Sequence, residues 1–350
     1  MKNHSKVLII GNLGYVGSVL GEFLHRENID IYGIDPNWFG SPEFIQKNSI
    51  FIKKQWLSDI RDVVDSKEIW SIKYDAVIYL AAVSNDPMGK TYANVTQKIN
   101  AEYCIKVANK AKNCGIKKLI FASSCSMYGK SDDNFPDENS ELSPMTEYSK
   151  SKAWAEKELE KIADESFNVI ALRFATACGS SKNLRLDLVL NDLVASAVKN
   201  KKVEVLSDGT PWRPLIHVKD MSRSFLWALR HNVDGVFLPI NVGSKEFTFQ
   251  VKDLAQLVVD LVPEATLVIA KDKAIDSRSY KVNFSYYEKL ASEKYYPKFD
   301  AKKSIIDLID HISPLDIPEN FRETVNWMRL KMLEDKISRN KMDLDLNLIR

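Results

Sequence analysis

Along the first half of the chain, short apolar runs alternate with stretches whose apolar positions recur every three or four residues. Lys6–Ile10 (KVLII) reads as a strand, glycines follow, and Val16–Arg26 carries helical spacing. Ile29–Asp35 and Asp75–Ala82 read as further strands, the latter followed by a long helix over Val95–Cys114. Lys118–Ser124 is the next strand, then a helix from Tyr148 to Glu165, then the strand Asn168–Phe174. Strands that are apolar on both faces are buried on both faces. The alternation therefore predicts an α/β architecture, a doubly wound parallel sheet with helices on each side. Beyond Cys178 the rhythm loosens. Helices over Leu186–Lys199, Val218–His231 and Val251–Val262 and a short strand Val203–Leu206 are separated by loops. This pattern predicts a smaller mixed C-terminal lobe, with Phe237–Gly243 returning to the main sheet. The expected division is residues 1–178, a lobe over 179–330, and a charged tail over 331–350 forming a surface helix and a frayed end.

Composition narrows the classes. The 49 basic and 47 acidic side chains leave a net charge of +2. With no long Lys/Arg run, this argues against nucleic acid as a partner. No stretch approaches the roughly 18 apolar residues of a membrane helix, and Met1 runs almost directly into a strand with no secretion segment. Cys104, Cys114, Cys125 and Cys178 lack metal-type spacing, which points to reduced thiols in a cytoplasmic protein and to no metal site.

Gly11-Asn12-Leu13-Gly14-Tyr15-Val16-Gly17 lies directly between a strand and a helix. Gly11 permits the tight turn, Gly14 lets the backbone approach a pyrophosphate, and Gly17 allows close helix–strand packing. The N–H groups of the turn, those of Leu13, Tyr15 and Val16 among them, together with the helix dipole, hold an anion. The spacing is GxxGxxG rather than GxGxxG. Asp35 ends the next strand, where a carboxylate accepts hydrogen bonds from ribose hydroxyls and repels a 2′-phosphate. The expected cofactor is NAD.

Tyr148-Ser149-Lys150-Ser151-Lys152 places Tyr148 and Lys152 four residues apart, on one helix face. A nearby ammonium favours the phenolate, making Tyr148 a general base for a substrate hydroxyl. The preceding strand ends in Ser123-Ser124, and a hydroxyl at the carboxyl end of a central strand points into the ligand crevice of such a sheet. Ser124 is thereby expected to hydrogen-bond the same substrate oxygen.

With these motifs the chain resembles the extended short-chain dehydrogenase/reductases, in the NAD-dependent sugar epimerase/dehydratase group of UDP-galactose 4-epimerase type, over about residues 6–290. The resemblance implies a Rossmann-type fold, a catalytic trio of Ser124, Tyr148 and Lys152, and contact of Lys152 with the nicotinamide ribose. It implies that Asp59 and Ile60 frame the adenine, that Leu80, Ala81 and Ala82 lie beside the cofactor, and that Asn100 belongs to the cofactor site. For the substrate, a nucleotide-diphosphate sugar, it implies contacts from Asn191, Arg213 and Arg278 near the diphosphate and from Ser126 and Thr176 near the sugar. Guanidinium forks suit phosphates. A homodimer through the helices near 95–114 and 148–165, and a supply of sugars for polysaccharide biosynthesis, are implied as well.

Departures narrow the reaction. Dehydratases of the group carry an Asp-Glu pair just after the catalytic hydroxyl, whereas this chain has Cys125 and Ser126; no 4,6-dehydratase activity is expected. A relative that epimerises and reduces uses a cysteine two places past the serine. Here that place is Ser126, and Cys125 is one position off. Epimerase, dehydrogenase and 4-ketoreductase readings all remain open at this point. So do an oxidoreductase acting on a non-sugar alcohol and a non-catalytic NAD-binding regulator, although an intact YxxxK and the arginines speak against these two.

Overall fold

The structure is a computed structural model that describes residues 5–131, 135–232, 235–270 and 279–349. Seven parallel strands form the main sheet: β1 (Lys6–Ile10), β2 (Asp30–Ile34), β3 (Lys54–Trp56), β4 (Ala76–Tyr79), β5 (Lys118–Ser124), β6 (Asn168–Phe174) and, after a long excursion, β10 (Phe237–Val242). Their spatial order is β10-β6-β5-β4-β1-β2-β3. The order reverses at β1, which pairs with β2 on one side and β4 on the other. A crevice at the carboxyl ends of β1 and β4 follows from that reversal.

Alternate residues of each strand feed two separate cores. Val7 and Ile9 pack with Leu20, Leu24 and Phe225 on one face. Leu8 and Ile10 pack with Val107, Ala108 and Leu159 on the other. Both faces being dry explains why the strands read as unbroken apolar runs. β10 pairs with β6 in parallel register, Phe237 opposite Val169, so the expected return strand is present. β4 is shorter than the apolar run Asp75–Ala82, because beyond Tyr79 the chain veers past the glycine turn, Leu80 and Ala81 donating their N–H groups to the Ile10 carbonyl.

The smaller lobe has its own core, built by the helices Val189–Asn200, Val251–Leu261 and Ala301–Ile312. Two small sheets flank it. One is β7 (Thr176–Cys178), β9 (Trp212–His217) and β11 (Thr248–Gln250) in the order β11-β9-β7; the other pairs β8 (Lys202–Val205) with β12 (Thr266–Ile269).

Two expectations need correction. The long helix expected over 95–114 is segmented into Ala93–Gln97, a π-helical turn Lys98–Glu102, and Tyr103–Asn113. The C-terminal segment is also not a frayed tail. Its helix begins at Arg329 and runs to Ser338, and Leu333, Met342 and Leu346 are buried in a fourth core with Trp38, Val83, Tyr92 and Ile99. The apolar spacing Leu330, Leu333, Ile337 gives that helix one apolar side, and the charged residues between take the other.

Candidate active site

Construction of the cleft begins at the glycine turn. Gly11 adopts φ +92°, and a Cβ on it would fall 2.7 Å from the Ala81 backbone nitrogen. A Cβ on Gly17 would fall 2.3 Å from the Gly11 carbonyl oxygen, so this glycine is required by helix–turn packing. Gly14 differs. A Cβ there would meet only the Gly11 oxygen, at 3.4 Å, so the protein itself has room for one. The helix Tyr15–Arg26 that follows has no side-chain cap and no acid in its first turn, which leaves its positive end bare toward the cleft. Together, the bare helix end and the space at Gly14 fit the diphosphate of a dinucleotide.

Asp35 closes the other side. Its carboxylate accepts from the N–H of Leu13 at 3.0 Å and of Asn37 at 2.7 Å. Burial pushes its pKa up to about 6 despite these bonds. Ile60, Leu80, Ala81 and Ala82 line the same cleft, as does Asp59. The Asp59 carboxylate is gripped by Arg61 through Nε at 3.0 Å and Nη2 at 2.9 Å.

The second cleft opens where β5 ends. Ser124 caps the turn Cys125–Tyr128; its hydroxyl accepts from the Ser126 N–H and lies 2.9 Å from the Ser126 hydroxyl. Thr146 caps the helix Glu147–Ile162 through a reciprocal bond with Ser149, and this sets Tyr148 in the first turn. Gly89 packs so closely that a Cβ would come within 3.3 Å of the Tyr148 nitrogen. One turn on, Lys152 is 1 % exposed and donates to the Ala122 carbonyl at 2.7 Å. Its ammonium lies 4.6 Å from the Phe121 ring centroid and 5.8 Å from that of Tyr148.

The electrostatics differ from the expectation drawn from spacing. Burial raises the Tyr148 phenol to about 12, with a hydrogen bond from Ser124 pulling against it. Burial lowers Lys152 to about 8. The ammonium lies over the ring and bonds to a carbonyl, so desolvation outweighs the expected cation effect on the phenol.

Thr176 on β7 and Arg213 on β9 reach this cleft because β7 and β9 pair, Thr176 opposite Leu215. The Thr176 hydroxyl lies 3.3 Å from that of Tyr280, over whose ring the Arg213 guanidinium sits at 5.6 Å. Ser126 lines the cleft too. Arg278 lies outside the described residues.

Three expectations are corrected. Asn191 is fully buried. Its amide oxygen accepts from the Gly179 N–H at 3.0 Å, and its amide nitrogen donates to the Tyr15 hydroxyl and the Arg185 carbonyl. With every amide contact inside the protein, it positions the loop rather than meeting a ligand. Asn100, in the π-helical turn, likewise accepts from the Val83 N–H and donates to the Val83 carbonyl and Ser151 hydroxyl. It fastens the strand-end loop beside the cleft to the helix carrying Tyr148. Cys125, weighed as an acid/base, turns inward. Its thiol donates to the Arg173 carbonyl at 3.0 Å, and burial raises its pKa well above the ordinary value.

Four residues emerge that the sequence reading passed over. Arg185, between the buried Leu184 and Leu186, binds Asp187 through two nitrogens and donates to the Ser84 hydroxyl at 2.8 Å. Asp187 in turn accepts from the Asn85 amide at 2.6 Å. Asn183 donates to the Leu13 carbonyl at 2.7 Å, and Arg329 donates to Asn183. A charged residue flanked by inward-facing leucines was the only available signal for Arg185.

The two clefts are continuous. Tyr15, Val16, Leu80, Ala82, Ser84 and Arg185 line both, and the second has a volume of about 840 Å³.

The chain has similar proteins in sequence and in fold. The chain is similar to a putative UDP-glucose 4-epimerase of Methanocaldococcus jannaschii, 23 % identical over 92 % of this chain and 98 % of that protein. It is also similar to a UDP-glucuronate 4-epimerase of Thermodesulfobacterium geofontis, 22 % identical over 92 % and 95 %. In fold it resembles the crystal structure of UDP-glucose 4-epimerase from Thermotoga maritima with UDP-glucose, with a TM-score of 0.78 and 20 % identity, covering 88 % of this chain and 99 % of that one. The family model described as "NAD dependent epimerase/dehydratase family" matches residues 7–243, which contain the glycine turn, Asp35, Ser124, Tyr148 and Lys152. On that match, and with a two-cleft site of the kind such chemistry needs, the chain belongs to the NAD-dependent epimerase/dehydratase family of enzymes.

Proposed function

We propose that this enzyme moves a hydride to and from the hydroxyl-bearing C4 of a nucleotide-diphosphate sugar, and that it does so as a 4-epimerase. The observation that carries the reading is the placement of Ser124, Tyr148 and Lys152 on a large cleft that shares its floor with the dinucleotide cleft. NAD, when bound, supplies a reversible hydride acceptor. The glycine turn and the bare helix end would hold its diphosphate, and Asp35 its ribose hydroxyls. Tyr148 takes the proton of the sugar hydroxyl as the carbon gives up its hydride, leaving a ketone. Ser124 hydrogen-bonds the same oxygen, and Lys152, whose charge does not offset the desolvation of the free phenol, supports the phenolate once the substrate hydroxyl is in place. When the ketone is presented by its other face, the hydride returns to carbon and Tyr148 returns the proton to oxygen. The configuration is inverted with no net redox change. Arg213 would hold the sugar nucleotide's diphosphate, and Thr176 and Ser126 would face the sugar.

Cys125 is turned inward and Ser126 is a hydroxyl, so the two positions after Ser124 supply no acid/base pair to eliminate water. Incubation with UDP-glucose and UDP-glucuronic acid, followed by chromatography, is expected to give a C4 epimer without net NADH and without a 4-keto-6-deoxy product. Stoichiometric NADH accumulation would replace the epimerase with a dehydrogenase. A keto-deoxy product would overturn the account of Cys125 and Ser126.

The reading extends to a homodimer packed through the helices Tyr103–Asn113 and Glu147–Ile162, whose outer surface carries Trp154 at 40 % exposure. Sedimentation should give twice the chain mass, and Trp154→Glu the single mass. Four free thiols suit the reducing cytoplasm, where sugar nucleotides for polysaccharide synthesis would be made.

A further inference from the structure

The C-terminal segment lies beyond the family match, yet it places Arg329 on the lining of the dinucleotide cleft. Leu333, Met342 and Leu346 bury against Trp38 and Ile99. Arg61, which grips Asp59, also donates to the carbonyls of Asp345 at 2.6 Å and Leu346 at 3.1 Å. The segment is therefore latched to both sides of the cleft's outer end.

Its first helical residue, Arg329, is 3 % exposed and lines that cleft with Asp35 and Phe39. Nη2 donates to the Asn183 carbonyl at 3.0 Å and to its Oδ1 at 2.5 Å, Nη1 reaches the Met332 sulfur at 3.5 Å, and the guanidinium lies 4.3 Å from the Phe39 ring centroid. These hydrogen-bond partners are all neutral. Burial, followed by repulsion from Arg185, pulls its pKa down to about 9, against weaker support from Asp187 and Asp35. A buried cation without a close counter-ion is costly to the fold. Asn183, which holds Arg329, also donates to the Leu13 carbonyl in the glycine turn. Trp38, on the same cleft, carries a buried indole N–H that finds no partner among the described residues. The cleft thus presents a guanidinium that makes no ion pair among the described residues and is linked through Asn183 to the glycine turn.

We propose that Arg329 completes the diphosphate site of the dinucleotide from across the glycine turn, and that the C-terminal segment, fastened at Trp38, Ile99 and Arg61, serves to hold it there. This rests on the cleft being the NAD site. Hydrogen bonds to charged groups are worth about 1.5–3 kcal/mol, roughly ten- to a hundredfold in affinity. Calorimetry on the full-length protein with NAD, ADP and adenosine should show Arg329→Gln losing about ten- to a hundredfold for NAD and ADP and almost nothing for adenosine. The NAD dissociation rate should rise by a similar factor. Arg329→Lys, which keeps the charge but not the fork, should lose less, and again only for ligands with phosphate. If Arg329→Gln does not fold, the lysine variant carries the same comparison. Equal losses for adenosine and NAD would reduce Arg329 to packing, and unchanged affinity and rate would refute its role. If the wild-type protein binds neither NAD nor ADP, the assignment of the cleft itself fails.

Discussion

Tyr148 and Lys152 sit one helical turn apart, yet burial drives their proton affinities in opposite directions, to about 12 and about 8. At neutral pH the phenol holds its proton in the free protein, so activation must come with the substrate hydroxyl in place. Tyr148→Phe should lower kcat by roughly 10²- to 10⁴-fold, the range for a lost general base, with NAD affinity unchanged by calorimetry. Lys152 makes a stability prediction as well. Its folded pKa lies below its unfolded value, so the folded state carries a desolvation penalty that is complete below pH 8 and is relieved as pH rises toward 10.5. That penalty is roughly 3 kcal/mol, and losing the ammonium's bond to Ala122 offsets about 1.5–3. Lys152→Met is thus expected to be up to about 2 kcal/mol more stable than wild type at pH 7, any gap closing toward pH 10 in urea unfolding, while activity is lost. That Ser124, Tyr148 and Lys152 share one cleft was legible because helical spacing joins the pair and the end of a central strand supplies the serine. Arg185 and Arg329 were not: flanking leucines were the only signal for the first, and whether an arginine's surroundings close over it depends on distant parts of the chain.

At the scale of elements, the main-sheet strands were legible for a physical reason: both faces are dry. The short strands were not. β3 has an exposed lysine and two half-buried residues at the sheet edge, and β7 is three residues long, too little for periodicity to register. The C-terminal helix was misread because its charges outnumber its apolar residues, although the latter share one side. The glycine turn allows a sharper test, because two of its glycines serve different masters. Gly17→Ala must push the turn's own backbone aside, so it should cost about 1–3 kcal/mol as overpacking does, seen as a lower Tm without ligand. Gly14→Ala meets nothing closer than 3.4 Å. It should leave the ligand-free Tm near wild type while weakening NAD binding at least tenfold, since its methyl would occupy space kept for the diphosphate. Equal behaviour of the two variants in both assays would contradict the division.

Across the whole molecule, the boundary expected at residue 178 is crossed repeatedly. The Tyr15 hydroxyl donates to the Gly179 carbonyl at 2.6 Å, and the outer strand of the main sheet comes from Phe237–Val242. Fragment 1–178 therefore lacks the cover for β6 and the partner for Tyr15. Expressed alone, it is expected to be insoluble or to show no cooperative unfolding, whereas the full chain with NAD should melt in one transition. A soluble, NAD-binding fragment would show that these crossings are dispensable.

The latch between Arg61 and residues 345–346 has a consequence for biosynthesis. The segment it fastens is translated after every strand of the main sheet, while the turn it faces precedes six of the seven. A growing chain can therefore complete its sheet before Arg329 reaches the cofactor cleft. Stalled nascent chains of increasing length should gain protease resistance in the sheet once Phe237–Val242 has emerged, but the ability to keep NAD through a wash only once residues 329–346 have emerged too.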